Sequence, residues 1–316
     1  MPPDVTIIIP CYKAEKYIEQ ALNSVIAQSL ENIQIIAIDD CSPDRTGDVI
    51  LRFMKLDPRV QGIFQPENGG VSVARNTGID AAAGKYVSFL DADDKIDSDF
   101  CRHLHLLAES QEADIVACNF QRIENNGISK PFFKACNPPV AFSGREYAGG
   151  LQYAQFFDNC WSKLYRRKFL NDNNLRFNSN LKFGEDTLFA NLAAAKANRI
   201  AIDCSYSGYL YYNNPQSCMN TIELSNRIRN LSDLLQSLKS NIESSEEKLL
   251  LRKSLEYVWT IKKYGGKDRI PLLEKMVKDS VWSEIVLPIT LKYGKLKHRI
   301  AARLLDNGFY TAINFW

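Results

Sequence analysis

No stretch of this chain reaches the roughly 18 consecutive apolar residues that a membrane-spanning helix needs. Its first residues, Met1-Pro2-Pro3-Asp4, show no basic segment followed by an apolar one, so no signal peptide is expected. A strong charge of one sign is missing as well: 39 lysines and arginines face 37 aspartates and glutamates, a net charge of +2. That balance gives no long-range pull on nucleic acid, and no nucleic acid partner is expected. The three histidines, His103, His105 and His298, make no metal-ligand pattern. The eight cysteines (Cys11, Cys41, Cys101, Cys118, Cys136, Cys160, Cys204, Cys218) are scattered, with no C-x-x-C pair. Such spacing speaks against a zinc site and a disulfide framework, and for a reducing, cytoplasmic setting. No internal repeat or low-complexity tract is present.

What is present is an alternation of strands and helices. Val5 to Ile9 is a β-branched run closed by Pro10, which predicts a strand buried on both faces. Ala14 to Gln28 then carries apolar residues at helical spacing. Ile33 to Ile38 is a second buried strand, stopped by Asp39-Asp40, with capping chemistry at Ser42-Pro43-Asp44 before a helix over Thr46 to Met54. Val60 to Phe64 predicts a third strand. A helix over Ser72 to Ala83 follows, with Gly84 as its C-terminal glycine, and Tyr86 to Leu90 is a fourth strand. This order predicts a mostly parallel, doubly wound α/β sheet. Beyond Ala113 the pattern loosens: Asp114 to Ile123 and Ser129 to Phe133 read as strands around an Asn125-Asn126-Gly127 turn. Glu185 to Lys196 reads as a helix, Arg199 to Tyr212 as two short strands, and the chain beyond about Ile222 as mostly helical, with a boundary near residue 220.

Ligands of such sheets bind beyond the carboxyl ends of the strands, and this sequence sets acids at two of them. Asp39-Asp40 closes the second strand; Asp91, Asp93 and Asp94 close the fourth. Neighbouring carboxylates repel unless a cation intervenes or one is protonated. An Asp-x-Asp cluster therefore suits a hard divalent ion, Mg²⁺ or Mn²⁺, shared with the phosphates of a substrate. The plainer alternative is that these acids only cap the helices that follow.

Pro10-Cys11-Tyr12, Asp39-Asp40-Cys41-Ser42, Asn68-Gly69-Gly70, Ala74-Arg75-Asn76-Thr77-Gly78 and Phe89-Leu90-Asp91-Ala92-Asp93-Asp94 follow in an order that resembles the family 2 glycosyltransferases. The resemblance covers about residues 4 to 215 and rests on several motifs together. It implies the GT-A nucleotide-diphospho-sugar transferase fold and an inverting transfer of a sugar, from a donor more often UDP-linked, to a hydroxyl acceptor. It also implies a catalytic domain over about residues 1 to 220, with a donor half to about 113 and an acceptor half from about 114, ahead of a helical region over 221–316.

Carried over position by position, Pro10, Tyr12, Asp39, Asp40, Arg75, Asp91, Ala92 and Asp93 fall to the nucleotide sugar. Asp93 and Asp94 fall to the metal, and Asp186 to the base that deprotonates the acceptor. Arg75 could reach the diphosphate or hold the aspartates, and Cys41 stands where the family often has glycine. Glu185-Asp186 could instead serve only the dipole of the helix they begin. Trp161 and Lys163 match the family's tryptophan-asparagine-lysine segment on the acceptor side, where Glu185 also falls; Ser162 replaces the asparagine. Both could equally be structural.

The implied acceptor is a saccharide or lipid-linked saccharide, in exopolysaccharide, capsule or lipopolysaccharide assembly. A basic C-terminal helix (Lys292, Lys295, Lys297, Arg299, Arg303) with an aromatic end at Phe315-Trp316 suits peripheral contact with the inner face of the plasma membrane, or packing on the catalytic domain. A nucleotidylyltransferase would carry a glycine-rich loop where Pro10-Cys11-Tyr12-Lys13-Ala14 has none. A binding protein without catalysis is the other alternative. The sequence leaves the oligomeric state open.

Overall fold

Seven consecutive buried residues form β1 (Val5–Cys11), and seven more form β2 (Ile33–Asp39). Strands without a polar face must be covered on both sides, which is what a central parallel sheet provides. The computed structural model describes residues 2–124, 127, 129–134, 139–150, 153–214, 223–243, 246–264 and 266–315. It joins β3 (Val60–Phe64), β2, β1 and β4 (Tyr86–Phe89) as parallel neighbours. Helices α1 (Ile18–Ile26), α2 (Thr46–Leu56) and α3 (Val71–Ala81) make the crossovers.

The register aligns the strand ends. Cys11 pairs with Asp39 and Ile8 with Phe89, so Tyr12, Asp40 and Asp91 follow at one edge of the sheet. Pro10 lies two residues beyond that last β1–β4 partner, where its missing N–H costs no ladder bond.

Beyond α4 (Phe100–Ser110) the chain enters β6 (Ile115–Cys118), which pairs with β10 (Lys163–Arg166) and β11 (Ile200–Asp203). β10 inserts antiparallel between β4 and β6. An antiparallel strand presents its start where its neighbours end, so the residues just before Lys163 reach the acid-bearing edge. β9 (Val140–Phe142) closes the sheet beside β11.

A second sheet orders β5 (Lys95–Ile96), β12 (Tyr209–Tyr212), β7 (Phe120–Ile123) and β8 (Ser129–Pro131). Here the expectation of one strand over Asp114 to Ile123 is corrected. Asn119, fully buried, takes hydrogen bonds from the Phe120 and Phe133 amides (2.9 and 3.0 Å) and donates to the Phe133 and Cys204 carbonyls. That side chain takes up backbone partners, and β6 and β7 pass into different sheets. Asn125 and Asn126 of the expected turn lie outside the described residues, as does the boundary expected near residue 220.

Gly84 is corrected as well. α3 ends at Ala81, and Gly84 serves a close approach: a Cβ there would lie 2.6 Å from the Thr6 amide nitrogen. Cys11, Cys41, Cys101, Cys118 and Cys160 are free, while Cys204 is disulfide-bonded. The spacing did not signal that bond, which depends on Cα proximity in the fold.

After α5 (Gly144–Gly150), α6 (Arg167–Asp172) and α7 (Glu185–Lys196), the C-terminal part is helical. It comprises α8 (Leu224–Asn241), α9 (Lys248–Tyr264), α10 (Arg269–Val277), α11 (Leu287–Tyr293) and α12 (Leu296–Asp306). Their core of leucines around Trp282 takes in Leu181 and Leu188, so these helices pack onto the α7 side of the sheet. Among the described residues no helix is long and apolar enough to cross a membrane.

Candidate active site

The edge where β1, β2 and β4 end borders two cavities that meet at Asp93. One, of about 480 Å³, is lined by Tyr17, Gln20 and Asn214 among others. The other, about 510 Å³, brings Asp91, Asp93, Trp161 and Asp186 together with residues of the C-terminal helices.

Arg75 organises this region. It is buried on α3, and its two terminal nitrogens donate to Asp91 Oδ1 and Glu185 Oε1, each at 2.9 Å. One guanidinium thus ties the acids after β4 to the start of α7, a fork geometry that lysine cannot supply. In this structure Arg75 holds two carboxylates.

Asp94 is also buried, and both of its oxygens are engaged. They accept from the Tyr209 hydroxyl at 2.7 Å and the Tyr212 amide at 2.8 Å. Asp94 fastens the acid loop to β12, so neither it nor Asp93 caps a helix; α4 begins only at Phe100. Asp93 faces the cavities, with Asn214 donating to Oδ2 at 3.2 Å. Burial, and then the Asp91 charge, push its carboxyl above the usual range. Ala92 between them packs against the core under β1.

Asp186 is the most perturbed carboxyl on the cavity. Burial first, and then the Glu185 charge, raise it from 3.8 to about 7, against the lowering pull of Arg75 and of the Thr187 amide, which donates to Oδ1 at 2.7 Å. Protein atoms crowd the carboxyl, while one edge of the residue remains open to the cavity. A carboxylate of this proton affinity is suited to general-base work near neutral pH.

Asp40 is buried and pins the Gly69-Gly70 turn: its two oxygens accept from those amides at 2.8 Å each. Asp39 accepts from the Ser42 amide at 3.1 Å. Cys41 between Ser42 and Asp40 has φ 57°, a left-handed backbone in which glycine is at ease and cysteine strained. Tyr12, after Pro10 and Cys11, is 47% exposed and presents its ring at the sheet edge.

Trp161 is buried in an aromatic stack, 4.5 Å from the Tyr209 ring and 5.7 Å from the Tyr211 ring. Lys163, for which an acceptor-side and a structural role were both open, points inward. It is fully buried, donates to Asn159 Oδ1 and the Trp161 carbonyl, and is pushed down to about 8 by burial. It braces the segment that carries Trp161. The sequence reading missed Tyr209, Tyr211, Asn214 and the cavity wall from α8 and α9. The alternating tyrosines of β12 were the one available signal, because a period of two puts them on one face.

A mostly parallel sheet with an antiparallel insertion, and acids gathered at its carboxyl edge, define the GT-A class of α/β folds. The crystal structure of S. aureus TarS 1–349 in complex with UDP superposes on 98% of this chain and 90% of its own, with TM-score 0.74 and 20% identity. The same protein with UDP-GlcNAc gives 0.72. Residues 6–173, just over half the chain, match Glycosyl transferase family 2, and the chain belongs to that family. Among relatives, the uncharacterized glycosyltransferase EpsJ of Bacillus subtilis is 36% identical over 69% of this chain and 63% of its own length. The succinoglycan biosynthesis protein ExoO of Rhizobium meliloti is 30% identical over 66% and 61%. The glycosyltransferase GlyA of Streptococcus pneumoniae is 32% identical over 58% and 27%. The matched segment is thus less than two thirds of the length of these relatives.

Proposed function

We propose that the chain is an inverting glycosyltransferase that moves a sugar from a UDP-linked donor to a hydroxyl of a saccharide or lipid-linked saccharide. The observation that carries this reading is the Asp91–Arg75–Glu185 bridge, which ties a donor-side acid cluster to Asp186, a carboxyl raised to about 7 on the same cavity. In the transfer, the acceptor oxygen attacks the anomeric carbon as Asp186 takes its proton. The bond from that carbon to the diphosphate breaks on the opposite face, and the nucleoside diphosphate leaves. The UDP and UDP-GlcNAc bound in the TarS structures support the choice of nucleotide. The relatives support a setting in surface polysaccharide assembly.

Asp93, with Asp91 beside it, offers the carboxylate oxygens a hard divalent ion takes, and the mutual repulsion that raises Asp93 is what a cation would relieve. Among the described residues no group of three or more potential ligands is gathered for a metal, so donor phosphates would complete the shell. Mg²⁺ or Mn²⁺ there would neutralise charge on the leaving diphosphate. Asp94, engaged by Tyr209 and Tyr212, supports the loop in this reading and does not ligate. Residues 1 to about 220 form the catalytic unit, with the boundary in the stretch before α8.

Peripheral membrane contact falls to α12, which buries Ala301, Ala302 and Leu305 while leaving Leu296 and Ile300 exposed among lysines and arginines. Flotation with anionic liposomes tests this, and no association removes it. For the main reading, a panel of UDP-sugars with Mg²⁺, Mn²⁺ or EDTA is scored for UDP release and for the product anomer by NMR. Metal-dependent release and an inverted anomer are expected. Retention of configuration, or no release from any nucleotide sugar, overturns it.

A further inference from the structure

The wall of the 510 Å³ cavity opposite the aspartates comes from α8 and α9, which lie beyond the matched family segment. Asn230, Trp259 and Tyr264 line it. Trp259 is 45% and Tyr264 46% exposed, so both rings are open at the cavity rim. Their rings meet edge to face, with centroids 6.1 Å apart. Lys263 Nζ lies 4.6 Å from the Trp259 ring and 4.8 Å from the Tyr264 ring, and the Arg227 guanidinium lies 5.4 Å from Tyr264. Two acids on this wall are matched: Asp158 is bound by Arg252 and Lys253, and Glu256 by Lys253 at 2.8 Å. The rim therefore presents aromatic faces with cations beside them. In the cavity wall below, the Asn230 amide nitrogen is buried with no hydrogen-bond partner among the described residues.

We infer that α8 and α9 form the acceptor subsite, and that its ligand is a saccharide carrying an anionic group. This rests on the transferase reading and adds the substrate class. The axial C–H face of a pyranose is apolar and packs on an indole or phenol ring, as aromatic-lined ligand sites with a few placed polar groups do. Lys263 then meets a carboxylate or phosphate borne by the same or the next sugar. Asn230 donates to a hydroxyl or carbonyl oxygen. Asp186 opens on the same cavity, so a sugar stacked on this wall directs a hydroxyl toward the base.

The experiment titrates the full chain, with UDP present, with a hyaluronan tetrasaccharide (carboxylated), a phosphorylated maltotetraose and neutral chitotetraose, by calorimetry at low and moderate salt. Binding of one anionic tetrasaccharide ahead of the neutral one is expected, and which one binds separates carboxylate from phosphate. Trp259→Ala should weaken it about tenfold, and Lys263→Gln about threefold with loss of the salt dependence. UDP affinity, measured on the same variants, reports that the fold is intact. Equal affinity of Trp259→Ala and the wild type overturns the subsite. So does binding of no tetrasaccharide at about 10 mM, roughly the weakest affinity that would matter for a substrate. UDP release in the donor panel is read separately, so failure of the transferase reading is told apart from failure of the subsite.

Discussion

Replacing Asp186 with asparagine should cost activity while raising stability. The carboxyl is raised from 3.8 to about 7 in the folded protein, chiefly by burial. A shift of about 3 units, at about 1.36 kcal/mol each, gives roughly 4 kcal/mol as the ceiling on the cost of keeping this group charged in the fold. Because Glu185 shares the repulsion and would relax once it is relieved, about half of that is the expected gain.

The sign follows from the raised value. An acid that binds its proton more tightly in the fold lowers stability fully above pH 7, and the cost fades as pH falls toward 3.8. The asparagine variant should therefore melt about 5 °C above wild type at pH 8, with the gap closing toward pH 4. Its amide oxygen can still accept from Thr187, so that hydrogen bond is kept. UDP release coupled to transfer should fall about 10²–10⁴-fold, and the wild-type rate should rise with pH through about 7. Calorimetric melting at pH 4, 6 and 8 alongside a pH–rate profile tests both halves. A variant that melts below wild type at pH 8, or a flat profile between pH 6 and 8 (roughly one unit either side of the titration), would refute the reasoning.

Other outcomes follow from the same geometry. Arg75→Met leaves Asp91 and Glu185 facing each other without their shared cation and should cost about 3 kcal/mol, read from denaturant midpoints; an unchanged midpoint contradicts the bridge. Arg75→Lys should restore only part of the loss, since one ammonium cannot span both acids in the fork geometry. Cys41→Gly relieves a left-handed backbone at φ 57° and should stabilise by about 0.5–1 kcal/mol, the strain relief less the entropy glycine adds to the unfolded chain. A loss of stability there would mean that the cysteine side chain contributes packing of its own.

Much of the chain up to about residue 113 was legible because its strands are buried on both faces and read as continuous apolar runs. β3 and α7 match the expected bounds, and β1, β2 and β4 differ from them by one or two residues at an end. The acids at Asp39-Asp40 and Asp91 to Asp94 were legible for the same reason, since a parallel strand announces its own end. The break at Asn119 was not, because it depends on one side chain meeting backbone groups from Phe133 and Cys204. Lys163 reads as a surface charge in any window of sequence, and only the antiparallel insertion of β10 turns it inward. Nothing in the helical pattern beyond Ile222 marks Trp259 and Tyr264, and only the packing of α9 brings them to the cavity.

The sequence by itself determined the order of strands and helices and the set of carboxylates at the sheet edge, because both follow from local patterning. It also placed Glu185-Asp186 at the start of a helix. The tertiary structure decided what those acids touch. Asp94 and Asp40 became anchors for loops, and Arg75 joined two acids 94 residues apart in the chain. Asp186 acquired its proton affinity from burial and from neighbouring charges. Proton affinity depends on desolvation and on charge at a few ångströms, and neither quantity exists until the chain is folded.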